Sequence, residues 1–227
     1  MNNQVELIGH YGSDLTHAQS AWTSTTRNLT EEKRARVPKL LKQLADAGHH
    51  TVFEKSSLHF LVNSDIASHI HALKSRIGVS INAESARYKE LKEDKFYIPE
   101  DWKGVKCTRE TDLAYFGEKL VIDTETWDVI LEEYTRLGNE LYHAALNDLE
   151  PALGRKRAKE SARFFKTYNS QIEMDIMFNF RSFRLFQTLR NHADAQKEIR
   201  EVAAEMLRLV KEIEGNPFEH TLKAFNL

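Results

Sequence analysis

The chain has 227 residues, 41% hydrophobic and 29% charged, a composition that suits a soluble globular protein with a sizeable core. Its 32 basic residues nearly balance 34 acidic ones, for a net charge of -2. That excludes a chain built to coat nucleic acid, which carries a strong basic excess, while leaving room for a local basic pocket. The single cysteine, Cys107, allows no internal disulfide and no cysteine-rich metal site, so a reducing cytoplasm is expected. MNNQVELIGHYGSD lacks a basic start followed by an apolar run, so no signal peptide is expected, and no run approaches the roughly 20 apolar residues of a membrane span.

Val5 and Leu7, followed by Gly-His-Tyr-Gly, predict a short strand ending in a turn. Thr30 to Gly48 reads as helix, with Thr30 as cap, acids in the first turn and Gly48 as stop; Pro38 predicts a kink or a second helix. Leu58, Phe60 and Val62 alternate as in a half-buried strand. Ile66, Ile70 and Leu73 have helical spacing in IASHIHALKSR, with Asp65 as its possible cap. SINAESARY, Ser80 to Tyr88, then crowds hydroxyl, amide, carboxylate, guanidinium and phenol into one polar stretch, and FYIPEDW reads as extended. Glu110 to about Asn147 carries the longest helical pattern, read as two helices or as one with a break near Gly138. Beyond Ala158 come a turn-like KTYNSQ, an apolar MDIMFNF and two more helices. No repeat or linker interrupts the chain, so a single α+β domain over 1–227 is expected, its helices packed on a modest antiparallel sheet.

Several familiar chemistries find no support. Cys107 stands in a polar segment with no partner base nearby in sequence. His69 and His71 lie two apart on a helix and face different directions, and His49-His50 is equally awkward for gripping a metal, so none is expected. No Gly-rich phosphate loop is present. GRKRAK, Gly154 to Lys159, is more commonly a solvated loop or helix start than a phosphate site. More informative are arginines among aromatics in Met177 to Glu201, where Arg181, Arg184 and Arg190 mix with Phe178, Phe180, Phe183 and Phe186. Snorkelling surface residues are the commoner case, but a planar guanidinium also suits phosphate or paired carbonyls on a flat ring.

GHHTVFE, SINAESARY and NFRSFRLFQTLR with DAQKEIRE occur in order between Gly48 and Glu201. Together they resemble the motifs of the flavin-dependent thymidylate synthases. The resemblance implies an α/β homotetramer with active sites between subunits. It implies FAD as cofactor, methylenetetrahydrofolate and NADPH as co-substrates, and one-carbon transfer to C5 of a pyrimidine deoxynucleotide, dUMP to dTMP by default. Carried over by position, His49, Thr51 and Glu54 contact flavin or line the folate side, and Asn82, Asn179 and Arg181 hold flavin. Ser85, Ala86 and Arg87 bind the nucleotide phosphate with Arg163, while Arg190 binds the ring and is the expected catalytic group.

The chain departs from the family at its Arg-His-Arg hallmark. An ungapped match puts Ser75-Arg76-Ile77 there; one insertion near Val79 gives Lys74-Ser75-Arg76, which keeps two cations, Lys74 and Arg76, for flavin and its phosphates. His71 or Ala72 falls where glutamine often meets the nucleotide, and Ala83 replaces a larger polar residue. These changes motivate two alternatives: hydroxymethylation of dUMP or C5 modification of dCMP on the same scaffold, and a binding protein that has lost catalysis.

Overall fold

Period-two alternation at three places builds most of one sheet. Gln4–Tyr11 (β1), Ser57–Asp65 (β2), Val79–Ala83 (β3) and Gln171–Phe178 (β6) join in the order β1-β2-β6-β3, with β1–β2 and β3–β6 antiparallel. Leu58, Phe60 and Val62 from β2 and Met174, Ile176 and Phe178 from β6 point into the core. The computed structural model describes residues 2–107, 112–115, 118–121 and 126–227. By internal contacts the chain forms two compact units. The sheet unit comprises Asn3–Ser64, Ser68–Ala83 and Glu173–Leu227; the helical unit comprises Met1–Asn2, Asp65–Ala67 and Glu84–Ile172.

In the sheet unit the helices are Asp14–Trp22 (α1), Glu31–Ala35 (α2), Val37–Asp46 (α3), Ile66–Leu73 (α4, begun in the other unit), Phe180–Arg190 (α6), Lys197–Lys211 (α7) and Glu219–Ala224 (α8). Thr30 caps α2 by accepting from the Lys33 N–H, and Pro38 opens α3 as a separate helix, as its fixed φ favours. Phe183 stacks on Phe60 at 5.9 Å, and Phe178 meets Phe183 edge-on at 5.8 Å. Such pairs each contribute about 1 kcal/mol beyond burial. The aliphatic stripe Ile199, Val202, Met206 and Val210 of α7 joins the same core.

Three expectations change, and one open stretch takes a definite form. The polar stretch SINAESARY opens as a strand: its first residues belong to β3, in which Val79, Ile81 and Ala83 turn inward while Ser80 and Asn82 face out. The density of polar groups hid the alternation. The helix expected through Arg76 ends at Leu73, closed by tight bonds from Lys74 N–H to His71 and from Ser75 N–H to Ala72. The helix expected from Glu110 begins only at Trp127; strands Asp112–Tyr115 (β4) and Glu118–Val121 (β5) precede it, and residues 110–111, 116–117 and 122–125 lie outside the described ones. The break expected at Gly138 stands instead at Gly154, whose φ of 76° and ψ of 154° interrupt the helix Trp127–Ala162 (α5). The short helices α1 and α8 were not legible, because their inner faces carry Asp14, His17 and Thr221 rather than an apolar stripe.

Those three residues form a buried chain. Thr221 donates its hydroxyl to Asp14 Oδ1 at 2.6 Å, so it accepts from His17 Nδ1–H at 2.9 Å. His17 Nε2 therefore accepts from the Ser56 hydroxyl at 2.8 Å. Asp14 also accepts from the N–H groups of His220 and Thr221, both at 2.8 Å. Burial holds the His17 imidazole neutral, with its pKa lowered to about 4. Between pH 6.5 and about 4 the unfolded chain binds a proton at this residue that the native state refuses, so stability falls as pH falls through that window. The loss amounts to about 3 kcal/mol at this site. Thermal melting of His17→Gln against the parent from pH 7 to pH 4 should show a shallower pH slope in the variant; equal slopes would refute the account.

Gly138 lies inside α5 for a different reason. A Cβ there would sit 2.6 Å from the Phe165 carbonyl oxygen, so the glycine permits close approach of two backbones. Gly to Ala in a helix ordinarily stabilises by up to about 1 kcal/mol. Here Gly138→Ala should instead lower the melting temperature, by an amount equivalent to about 1–3 kcal/mol, as measured by calorimetry.

Candidate active site

In the sheet unit, the junction of β6 and α6 organises the expected flavin side. Asn179 caps α6, its Oδ1 accepting from the Ser182 N–H at 2.9 Å. Ser182 donates its hydroxyl to the Ile77 carbonyl at 2.5 Å, and the Asn179 N–H bonds to the Gly78 carbonyl at 3.1 Å. Gly78 has a φ of +66°, and a Cβ on it would meet Asn179 Nδ2 at 2.2 Å, so only glycine fits beneath the cap. The segment Lys74-Ser75-Arg76 is thus tied at its C-terminal end, and its exposed Lys74 and Arg76 form no ion pair among the described residues.

Arg181, the second residue of α6, is exposed and ion-paired with Glu54 at 2.5 Å. Two residues expected at the cofactor are therefore already partners, and His49 and Thr51 lie exposed at the start of the same 3-10 turn, His50–Glu54. Asn82 is exposed on β3, opposite Asp175 in register; Asp175 in turn accepts from His59 Nε2 at 2.7 Å.

Arg190, the last residue of α6, is half-buried and meets His71. Its Nη1 donates to His71 Nδ1 and its Nη2 to the His71 carbonyl, both at 3.3 Å. A guanidinium has no acceptor, so His71 Nδ1 is unprotonated and its Nε2–H donates to Gln196 Oε1 at 3.1 Å. Gln196 Nε2 then donates to Glu198 Oε2 at 2.8 Å. Arg190 Nε is buried and without a partner among the described residues, and the guanidinium touches no carboxylate among them. The arrangement is a fixed cation whose charge is left uncompensated at contact distance.

In the helical unit, Ser85 opens a tight turn: the N–H groups of Tyr88 and Lys89 bond to its carbonyl at 2.9 and 3.0 Å. Its hydroxyl oxygen accepts from the Arg87 N–H at 3.4 Å, which leaves the hydroxyl proton to donate elsewhere. Glu84 and Lys89 bridge the turn at 2.5 Å, Ala86 is half-buried within it, and the Arg87 guanidinium packs over the Tyr88 ring. Arg155, Lys159 and Arg163 follow at intervals of four, on one face of the C-terminal part of α5 and its continuation. Arg155 pairs with Glu90 at 2.7 Å and Lys159 donates to the Tyr88 carbonyl at 3.1 Å. The face that carries Arg163 is thereby clamped to the residues just after the Ser85 turn. The GRKRAK run is the helix start that the sequence allowed: it resumes α5 after the Gly154 break, and residues 154–157 are exposed. Arg163 and Arg87 are exposed, and neither bonds to a carboxylate among the described residues.

Lys166 steadies the same segment. Its buried ammonium donates to Asp94 Oδ1 at 2.5 Å and Asn139 Oδ1 at 2.7 Å, and lies 4.4 Å from the Tyr142 ring centre. Burial lowers its pKa, against the opposing pull of Asp94. An open apolar cavity of about 290 Å3, lined by Trp102, Val105 and Trp127, holds none of the expected site residues.

The structure thus joins Arg190 to His71, Arg181 to Glu54, and Asn179 to the segment after Arg76. No hydrogen bond joins Arg163 directly to Ser85 or Arg87 among the described residues. Sequence reasoning assigned no role to Gln196, Glu198, Arg155 or Lys159. The spacing of four from Arg155 to Arg163 was the signal for the last two.

The chain matches the family model described as thymidylate synthase complementing protein over residues 6–214. It is 28% identical over 208 residues to a flavin-dependent thymidylate synthase of Thermotoga neapolitana, covering 92% of this chain and 85% of that protein. The flavin-dependent thymidylate synthase of Kosmotoga olearia is 28% identical over 215 residues, covering 91% and 84%. A crystal structure of the UMP/dUMP methylase PolB from Streptomyces cacaoi, bound with 5-Br dUMP, shares the fold, with a TM-score of 0.75 at 24% identity over 99% of this chain and 95% of that one. With a match running from β1 to the end of α7, the chain belongs to the thymidylate synthase complementing protein family.

Proposed function

We propose that the protein is a flavin-dependent methyltransferase that transfers a one-carbon unit from methylenetetrahydrofolate to C5 of a pyrimidine deoxynucleotide, dUMP to dTMP, with NADPH as reductant. The observation that carries this reading is Arg190, a half-buried guanidinium held by neutral acceptors and opposed by no carboxylate at contact among the described residues. Making C5 nucleophilic places negative charge on the ring carbonyls, and a preorganised cation is worth most where charge develops during reaction.

The donor set suits FAD. Lys74 and Arg76 are exposed cations for a pyrophosphate, and Asn82, Arg181, Glu54, His49 and Thr51 offer both donors and acceptors to a polar ring. When bound, flavin supplies the hydride; the chain's own residues align the rings and keep water out. Asn179 supports this side indirectly, since its side-chain oxygen caps α6. In the helical unit Ser85 offers a free hydroxyl proton, and Arg87 and Arg163 offer guanidinium groups, all suited to a phosphate dianion. Exposed Leu185 and Leu189, one turn apart on α6, support the further proposal that copies associate as a homotetramer with sites between subunits.

The altered segment Lys74-Ser75-Arg76 and Ala83 favour one second reading, hydroxymethylation of dUMP or C5 modification of dCMP on the same scaffold. Purified protein should retain FAD by absorbance and convert dUMP, with methylenetetrahydrofolate and NADPH, into a product heavier by one methyl group in mass spectrometry. A hydroxymethyl product, or turnover of dCMP alone, would transfer the assignment to the alternative chemistry. Protein that takes up no flavin and changes no pyrimidine nucleotide would leave only a binding protein. Arg190→Gln should cost about 100-fold or more in kcat. Arg87→Ala and Arg163→Ala should each raise KM for dUMP by about 10–100-fold. Deoxyuridine, which lacks the phosphate, should bind these two variants as it binds the parent.

A further inference from the structure

We propose that Gln196 and Glu198 are positioning residues for Arg190: acting through His71, they fix the tautomer that presents an acceptor, not a donor, to the guanidinium. The inference rests on the assignment of Arg190 to the pyrimidine ring.

An imidazole beside a guanidinium can carry its single proton on either nitrogen. With the proton on Nδ1, two donors would face each other at 3.3 Å and the contact would open. Gln196 removes that choice. Its Oε1 stands 3.1 Å from His71 Nε2 and rewards a proton there. The amide cannot be reversed, because its Nε2 is 2.8 Å from Glu198 Oε2, and a carboxylate only accepts. Every bond in the series therefore runs in one direction, from Arg190 to His71 to Gln196 to Glu198, which polarises each in the sense that strengthens the next.

Glu198 is built to end such a chain. It is 8% exposed and stands in the first turn of α7, where the helix field favours a negative group. Arg190 stands in the last turn of α6, where the field favours a positive one. The connection between them, residues 191–196, is pinned by Arg200, whose Nη1 donates to the Ala193 carbonyl at 3.0 Å. A chance surface contact would not bring an exposed amide between a half-buried imidazole and a buried carboxylate with both of its ends engaged.

The test uses the holoenzyme with dUMP. Gln196→Leu removes both ends of the amide at similar volume and should lower kcat about tenfold or more, as loss of an orienting outer partner does. Flavin content and melting temperature should stay near those of the parent. Glutamine at position 71 has no tautomers, so Gln196→Leu should cost much less in a His71→Gln background, a positive coupling in a double-mutant cycle. Unchanged kcat in Gln196→Leu, or an equal loss in both backgrounds, would overturn the proposal. Nitrogen-15 NMR of histidine-labelled protein reads the tautomer without turnover: His71 should carry its proton on Nε2 in the parent and lose that preference in Gln196→Leu. A proton on Nδ1 in the parent would overturn the proposal by itself. Parent protein with the expected tautomer but no nucleotide turnover would count against the proposed reaction while leaving the hydrogen-bond chain intact.

Discussion

Most of the sheet unit's site geometry depends on the cap at the start of α6. Asn179 closes the helix, and Ser182, one turn in, reaches back to the Ile77 carbonyl. Because Val79 pairs with Phe178, the same few atoms fix the start of β3, the end of β6 and the direction of α6. Arg181 and Arg190 ride on that helix, and Lys74 and Arg76 lie on the segment it anchors. Each bond is worth only about 1 kcal/mol net. Their effect is larger than that figure suggests, because Gly78 leaves no space for a side chain and the loop cannot drift without breaking the cap. Stacking of Phe60 on Phe183 from below makes the helix axis part of the core rather than an appendage.

Charge is distributed with a similar economy. Many exposed cations are spent locally, as in Arg136 with Glu132 or Arg208 with Glu205. Surface pairs of that sort contribute about 0–1 kcal/mol and carry no function. Arg155 and Lys159 do more, since their partners are Glu90 and the Tyr88 backbone, distant in sequence. Arg87 and Arg163 are left without carboxylate partners among the described residues. A dianion bound there would not first have to displace an internal acid. In the sheet unit, by contrast, Arg181 is committed to Glu54, so a ligand reaching it must either share the pair or break it.

The strands and long helices were legible wherever one face is apolar and the other polar. Leu58-Phe60-Val62 and the α7 stripe announce themselves in this way. The misses share a cause. In α1 the inner face holds Asp14 and His17, a polar network that no hydrophobic period can reveal. In β3 the alternation is present, but Ser80 and Asn82 look like loop residues when the inward Val79 and Ile81 are read alone. Gly138 suggested a break because glycine usually weakens a helix, yet here it admits the Phe165 carbonyl; only tertiary contact shows that. The candidate site residues were proposed as members of ordered motifs. Their partners were not: Gln196 and His71 are far apart in sequence, and nothing local connects them.

That pairing bears on how Arg190 could act at all. A carboxylate 4 Å from a guanidinium, at the effective dielectric near a protein surface, holds it by about 4 kcal/mol. Such a partner would orient the cation but would also neutralise the field it offers to a ring carbonyl. His71 gives the orientation through an uncharged nitrogen and a backbone carbonyl, each at 3.3 Å. The negative charge that finishes the chain sits on Glu198, two hydrogen bonds further on, where it can bias the imidazole tautomer without standing against the guanidinium. A neutral imidazole is therefore a better immediate neighbour for this arginine than an acid would be. His71 thus offers an acceptor toward Arg190 and a donor on its other side.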